Sequence, residues 1–272
     1  DCEVYGTTAP GDANQFCRIC CESHPDETLR FSACGGDGTF NEVASACVGH
    51  ANASVAMYPC GSGNDFIKYF RETMGLQAEE FLDIPRQLKG RVRQVDVLKV
   101  EVEGGKADGA YYCFNVCNFG FDSTVARTMN VVRHIPILGG TNSYTTGVIY
   151  AILTARFNYM RIDVDGKKFH KGPMLLGTLG NGQYVGGAFR CSPHAVIDDG
   201  LIETNILRTM LLFRFVSLLG LYKTGELEKS RHHKRLVKYK RAKEVCLSHS
   251  RAFHVCIDGE MLYGKRFRIT VV

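Results

Sequence analysis

Leu29-Arg-Phe-Ser-Ala-Cys-Gly-Gly-Asp-Gly-Thr-Phe-Asn-Glu-Val-Ala-Ser-Ala-Cys47 is the stretch that decides the fold. Leu29 to Cys34 reads as a short strand. It runs directly into Gly35-Gly36-Asp37-Gly38-Thr39, and from Phe40 to Val48 apolar residues recur at helical spacing. Strand, glycine loop and helix in succession make the unit of a parallel sheet, with its loops at the carboxyl ends of the strands. Three glycines let the backbone approach an anion, and the helix start adds N–H groups and the positive end of a dipole. Asp37 alone would repel a phosphate there. It makes sense beside a magnesium ion or as a base near a transferred phosphoryl group. The plainer reading is a tight turn capped by an aspartate.

The same unit recurs downstream. Ser54 to Tyr58 reads as a strand ending at Pro59, Gly61-Ser62-Gly63-Asn64-Asp65 as a loop, and Phe66 to Phe70 as the start of a helix. Ser62 and Asn64 carry groups that hydrogen-bond phosphate or ribose, and Asp65 is either a helix N-cap or a metal-binding acid. One such loop is a weak motif; two on neighbouring strands describe a nucleotide crevice. Upstream, Ala13 to Ser23 reads as a helix with Asp12 as its N-cap, and Cys2-Glu-Val-Tyr5 as a short strand.

The texture changes near Arg91. Strand-like runs then dominate: 95–102, 111–119, 160–164, 172–179, 201–207, 245–248, 254–257 and 266–272, with turn signals at Asp165-Gly166 and Asp258-Gly259. Helical patterns interrupt at Tyr144–Thr154 and Met210–Leu221. The expectation is an α/β domain over residues 1–97 followed by a β-sandwich domain over 98–272 with inserted helices.

The chain has 272 residues, a net charge of +5 and twelve cysteines. The cysteines lack paired zinc spacing, and Cys17-Arg-Ile-Cys20 stands alone, so small buried thiols in a reducing cytosol are the better reading. Met210–Tyr222, the longest apolar stretch, is broken by Arg214 and is too short to span a bilayer. Arg231 to Lys243 is densely cationic. It reads either as a solvated edge strand or, with the Leu-, Met- and Phe-rich helix before it, as a surface for acidic headgroups. Without interleaved aromatics beyond Tyr239, it does not suggest a nucleic-acid partner.

Gly-Gly-Asp-Gly-Thr-Phe-Asn-Glu-Val at 35–43 followed by Gly-Ser-Gly-Asn-Asp-Phe at 61–66 resembles the diacylglycerol kinase catalytic-domain family, which includes bacterial lipid kinases and sphingosine kinases. Three later segments resemble it too: Asn115-Val-Cys-Asn-Phe-Gly-Phe-Asp122; Asn181-Gly-Gln-Tyr-Val-Gly-Gly187 with Pro193-His-Ala-Val-Ile-Asp-Asp-Gly-Leu201; and Asp258-Gly-Glu260. The resemblance implies a nucleotide-binding domain like that of NAD kinases, a β-sandwich domain and an active site in the cleft between them. It implies ATP and Mg2+ as cofactors and a lipid acceptor, diacylglycerol by default, met at the inner face of the membrane by a cytoplasmic, peripheral enzyme. It places Gly35, Gly36, Gly38 and Thr39 at the ATP phosphates and Gly61, Ser62, Gly63, Asn64 and Asp65 along the nucleotide. Asp258 becomes the first candidate for general base, Asp37 the second, with Glu260 beside them. Asp37, Asp65, Asp96, Asp198 and Asp199 become metal-binding acids, Asp96 also closing the first domain. Plain turns explain Asp258-Gly259 and Asp198-Asp199-Gly200 equally simply. The family pattern also has a strand and an Asn-Pro-x-Ser-Gly loop ahead of what is here Thr7-Thr8, and an apolar segment after the Asp-Gly-Glu.

Two alternatives stand beside this one: a kinase for a soluble acceptor such as NAD, and a nucleotide-binding regulator without catalysis. The number of acids near the glycine loops argues against the second. Edge strands of the second domain offer a route to a homodimer.

Overall fold

A computed structural model describes residues 3–105, 108–120 and 158–272. The chain divides into two compact units, Asp1–Gln94 and Val95–Val272. The helix expected at Tyr144–Thr154, and Asp122 of the third motif, lie outside the described residues.

In the first unit, α1 (Asp12–Ser23), β1 (Leu29–Gly35), α2 (Asp37–Cys47), β2 (Ala53–Pro59) and α3 (Asp65–Met74) follow in order, with a short α4 (Ile84–Lys89) near its end. β1 and β2 pair in parallel from Leu29↔Ala53 to Gly35↔Pro59, so both glycine loops leave the same edge of the sheet. α2 buries Phe40, Val43 and Ala44, and α3 buries Phe66, Ile67 and Tyr69, the spacing of an amphipathic helix. The Phe40 and Phe66 rings stack at 4.5 Å between centroids, which ties the two helices together just past their loops.

Two readings of this region change. Residues 3–5 form no strand. The N-cap of α1 is Gly11, in the left-handed region at φ 85°. Asp12 is instead the first helical residue, and its carboxylate accepts the Thr8 N–H and hydroxyl and the Tyr5 hydroxyl. That pulls the preceding chain onto the helix start. α1 buries Cys17 and Cys21 against α2, and Cys47 shares a thiol hydrogen bond with Cys21. Burial pushes the Cys17 thiol up to about 12 and raises Cys47 as well, so these sulfurs stay protonated and inert. Among the described residues there is no disulfide and no metal-binding group of three or more His, Cys, Asp or Glu.

The second unit is a sheet of nine strands: β3 (Leu98–Glu103), β4 (Gly109–Cys113), β5 (Val116–Gly120), β6 (Asn158–Val164), β7 (Lys167–Gly180), β8 (Ile202–Arg208), β9 (Val237–Ala242), β10 (Glu244–Ile257) and β11 (Glu260–Val271). All pairings in it are antiparallel, in the order β4-β3-β11-β10-β5-β7-β8-β9. β6 pairs with both β7 and β10, which also flank β5. Those four strands therefore close a ring of pairings, and the sheet folds over one apolar core that includes Leu98, Phe119, Ile162, Ile206, Leu247 and Phe267. Packing sandwich-fashion, the strands alternate buried and exposed residues, as in β3 and β6. β8 carries α5 (Leu212–Thr224) and the one-turn α6 (His233–Leu236) on its way to β9. Among the described residues no helix is long and apolar enough to cross a membrane.

Gly177 sits in register with Phe119, and a Cβ there would lie 2.3 Å from the ring. Gly177→Ala should therefore overpack the core and lower the unfolding free energy by about 1–3 kcal/mol in a urea titration followed by circular dichroism. An unchanged midpoint would show that the ring can move aside.

Candidate active site

The two glycine loops touch backbone to backbone. A Cβ on Gly61 would stand 2.5 Å from the Gly36 Cα, and one on Gly36 would stand 3.2 Å from the Gly61 Cα. Gly35 is covered by Thr39, whose Oγ1 would lie 2.4 Å from an added Cβ. Gly38, in the first turn of α2, faces open space. Glycine is thus needed at 35, 36 and 61 for packing, and at 38 only for whatever approaches from outside.

The loops are also cross-linked. Asn64 takes the left-handed conformation at φ 50°, and its side chain closes the second loop by bonding both N and O of Gly61. The Asp65 N–H then donates to Asp37 Oδ1 at 2.6 Å. Asp37, at the start of α2, therefore reaches across to satisfy the first turn of α3. Asp65 is not an N-cap: it begins α3, is buried, and accepts the Lys68 ammonium at 2.6 Å. A Cβ on Gly63 would meet Asp37 Oδ2 at 2.6 Å and Asp65 Oδ2 at 3.7 Å, so the two carboxylates flank this glycine. Ser62 is exposed at the loop tip.

In the second unit the motif segments meet in one hydrogen-bonded knot. Asp258 is in the left-handed region at φ 46° and starts the β10–β11 turn. Its carboxylate accepts the backbone N–H groups of Phe114, Asn115 and Val116 and the Cys113 thiol. The Asn115 carbonyl accepts the N–H groups of Asn181 and Gly182 at 2.9 and 2.7 Å, and Asn115 Nδ2 donates to Tyr184 O. Asn181, fully buried, donates to the carbonyls of Asp96 and Phe114. Asp96 in turn accepts the Gly200 N–H at 2.6 Å, which folds the 198–200 turn onto it. Asp199 pairs with Arg241 and accepts the Leu201 N–H, while Asp198 and Glu260 are exposed.

The five acids expected as metal ligands therefore divide. Asp37 and Asp65 share the loop site of the first unit, whereas Asp96 and Asp199 serve the turn at 200 in the second. Asp96 belongs to the second unit by its bonds as well as by its position. For Asp258-Gly259 the turn reading describes the backbone. A second Asp-Gly turn works in a related way: exposed Asp165, at φ 49° between β6 and β7, accepts the N–H groups of Lys243 and Glu244, and against desolvation these bonds lower its pKa. Of the basic run, Lys238 donates to Phe169 O, Arg241 pairs with Asp199, and Lys240 lies 3.7 Å from Asp165; Lys234 and Arg235 remain exposed.

Glu203 escaped the sequence reading. It is 1% exposed, and burial pushes its carboxyl up to about 7. Alternation along Ile202-Glu-Thr-Asn-Ile206 puts Glu203 on the face opposite the two isoleucines, and no local signal says that this face is covered.

Comparison with known proteins now places the chain. Residues 1–100 match the family profile described as diacylglycerol kinase catalytic domain, and residues 115–272 match the YegS C-terminal NAD kinase beta sandwich-like domain. A probable lipid kinase YegS-like from Pseudomonas fluorescens is 30% identical over 99% of this chain and 82% of its own length. The Bacillus subtilis diacylglycerol kinase is 27% identical over 96% of this chain and 79% of its own. In fold, the chain is similar to a putative diacylglycerol kinase from Bacillus anthracis, with TM-score 0.68 at 21% identity, over 98% of this chain and 81% of that one. The chain belongs to the diacylglycerol kinase catalytic-domain family. It is a kinase, with an α/β domain followed by a β-sandwich domain.

Two predictions follow from this geometry. Gly61→Ala should cost about 1–3 kcal/mol in denaturant unfolding because backbone must shift, whereas Gly38→Ala should leave stability unchanged or raise it by up to ~1 kcal/mol. Equal losses in both would contradict the loop contact. For Glu203, the folded pKa lies above the unfolded value of 4.5, so the folded state binds the extra proton. Its stability contribution is best below pH 4.5 and falls through the window to about 7, by on the order of 3 kcal/mol. Glu203→Gln should remove that slope, read as urea midpoints at pH 5 and pH 8.

Proposed function

We propose that this kinase transfers the γ-phosphoryl group of ATP to the hydroxyl of a lipid, with diacylglycerol the first acceptor to test. The observation that carries the reading is the clasp of the two glycine loops, held Cα against Cα with Asp37 bridging them. Such a clasp leaves Gly38 open at a helix start, which suits the phosphates of a nucleotide. Nucleotide binding is assigned to the first unit, Asp1–Gln94, and the handling of the acceptor to the second, Val95–Val272.

A divalent cation fits this donor set in a limited way. Asp37 and Asp65 flank Gly63, and magnesium is commonly held by one or two carboxylates together with substrate phosphates and water. Asp37 and Asp65 would hold it, and when bound it would neutralise phosphate charge. The Lys68 ammonium pairs with the buried Asp65 carboxylate and holds it in place.

Asp258 is the first candidate to receive the acceptor hydroxyl. Its three backbone N–H donors fix the carboxylate in orientation. A loose phosphoryl transfer asks mainly for positioning of the nucleophile, and a rigidly held carboxylate supplies it. Asp37 is the second candidate, and exposed Glu260 lies beside the first. Contact with a bilayer is assigned to Leu211, which is 67% exposed, and to Lys234 and Arg235; Lys238 is already occupied.

The test uses labelled ATP, magnesium and mixed micelles offering diacylglycerol, sphingosine or monoacylglycerol in parallel. The parent should label a lipid. Asp258→Asn should lower kcat at least about 100-fold. Asp165→Asn disturbs the two backbone bonds of the other Asp-Gly turn and serves as the control for structural damage, so its activity should stay within about threefold of the parent. Equal losses in the two variants would reduce Asp258 to a turn-former. ATP binding without transfer to any lipid would overturn the lipid reading.

A further inference from the structure

A cavity of about 280 Å³ lies within the second unit, on the outer face of β7, β8 and β9 and beneath the end of α5 and the start of α6. It is on the opposite face of β8 from the sandwich core, since Ile202 and Ile206 point into that core and Glu203, Asn205 and Leu207 line the cavity. Strand register lays out its floor. Leu176 pairs with Leu207 and Leu207 with Val237, which makes an apolar row. Thr178, Asn205 and Tyr239 form the next row, hydroxyl- and amide-bearing. Beyond it stands Glu203, with Gly180 on one side and Arg241 on the other. The floor therefore grades from hydrocarbon to carboxylate within two rows.

The polar end is unsatisfied. Glu203 Oε1 accepts Asn205 Nδ2 at 2.7 Å and the His194 backbone N–H faces the carboxylate, but Oε2 has no hydrogen-bond partner. Thr178 Oγ1, fully buried beside it, has none either. Burying a carboxylate oxygen without a donor is costly, and nothing in the sandwich core requires an acid at 203. Two positive charges stand near it, and both are engaged elsewhere: Arg190 turns its Nε to Gln183 Oε1 with its guanidinium against the Tyr184 ring, and Arg241, the register partner of Glu203 on β9, pairs with Asp199.

We propose that this cavity is a ligand site for a small amphiphile bearing a primary amine, with its hydrocarbon along Leu176, Leu207 and Val237 and its ammonium group on Glu203 Oε2. An ammonium supplies both the missing donor and the missing charge; an alcohol supplies only the first. The volume, about nine waters at ~30 Å³ each, suits a short alkyl chain. None of the residues used here belongs to the glycine-loop or Asp258 machinery, so the site does not depend on the proposed reaction.

The probe is n-octylamine, titrated calorimetrically into the full chain below its micelle-forming concentration, beside 1-octanol and octanoate. At pH 8 the amine should bind at least about tenfold more tightly than either. Its affinity should fall at least about fivefold at pH 6. The alkylamine, like a lysine, stays protonated across that range. What changes is Glu203, which gains a proton; the cavity lining also holds the imidazoles of His194 and His233. The other charged or titratable groups around it are Arg190 and Glu228 of the lining, Arg241 opposite Glu203 on β9, and Tyr239, whose phenol burial pushes up so that it stays neutral. Glu203→Gln should reduce amine affinity to that of octanol, leave octanol binding unchanged and leave basal lipid phosphorylation unchanged. Should that variant fail to fold, Val237→Phe, which fills the apolar end, should abolish binding of both amine and alcohol. Absent amine binding, equal affinity for all three probes, a flat pH response, or full amine binding by Glu203→Gln would each overturn the proposal. The last result would also reveal an amine bound elsewhere.

Discussion

The arrangement of the first unit depends on one close contact, Gly36 against Gly61, with the Asp37 carboxylate bonded across it to the Asp65 N–H. No side chain fits between those Cα atoms. Parallel pairing of β1 and β2 delivers both loops to one edge, the Phe40–Phe66 stack fixes the helices behind them, and Asn64 closes the second loop on itself. An aspartate in a phosphate-type loop looks wrong by charge alone. Its use as a bridge gives it a structural reason to be there, and its second oxygen, turned toward Gly63 beside Asp65, gives it a chemical one.

The second unit uses carboxylates in a related way. Asp165 and Asp258 each start an Asp-Gly turn with positive φ, and each grips backbone N–H groups of a chain segment distant in sequence. At Asp165 this joins β6 to the start of β10. At Asp258 it anchors residues 114–116, and through Asn115 and Asn181 it reaches Asp96 and the 198–200 turn. An acid can therefore be fixed by the fold and still be placed for chemistry. The comparison between these two turns separates the roles better than either residue studied alone.

Much of this was legible in the sequence. The alternation of strand, glycine loop and helix identified the α/β unit because each element is short and locally encoded. The Asp-Gly pairs marked hairpins for the same reason. What the sequence hid was long-range. Tyr111–Phe119 reads as one strand but breaks into β4 and β5, where the amides of 114–116 turn to Asp258. Asp12 and Asp65 looked like N-caps, and each instead begins its helix because the preceding Gly11 or Asn64 adopts the left-handed conformation. The five acids are named as metal ligands by the resemblance. Their hydrogen bonds, Asp96 to the turn at 200 and Asp199 to Arg241 among them, are encoded by no local pattern. Glu203 was invisible because strand periodicity does not say which face of β8 a helix will cover.

The most direct test of the account is phosphoryl transfer from labelled ATP to micellar lipid by the Asp37→Asn variant, measured with its urea midpoint. An asparagine oxygen still accepts the Asp65 N–H, so the loops should stay clasped and stability should remain within about 1 kcal/mol. Lipid phosphorylation should nevertheless fall by at least about 100-fold, because the charge facing Gly63 is gone. A stable variant with near-parent activity would contradict the placement of the kinase site at the two glycine loops.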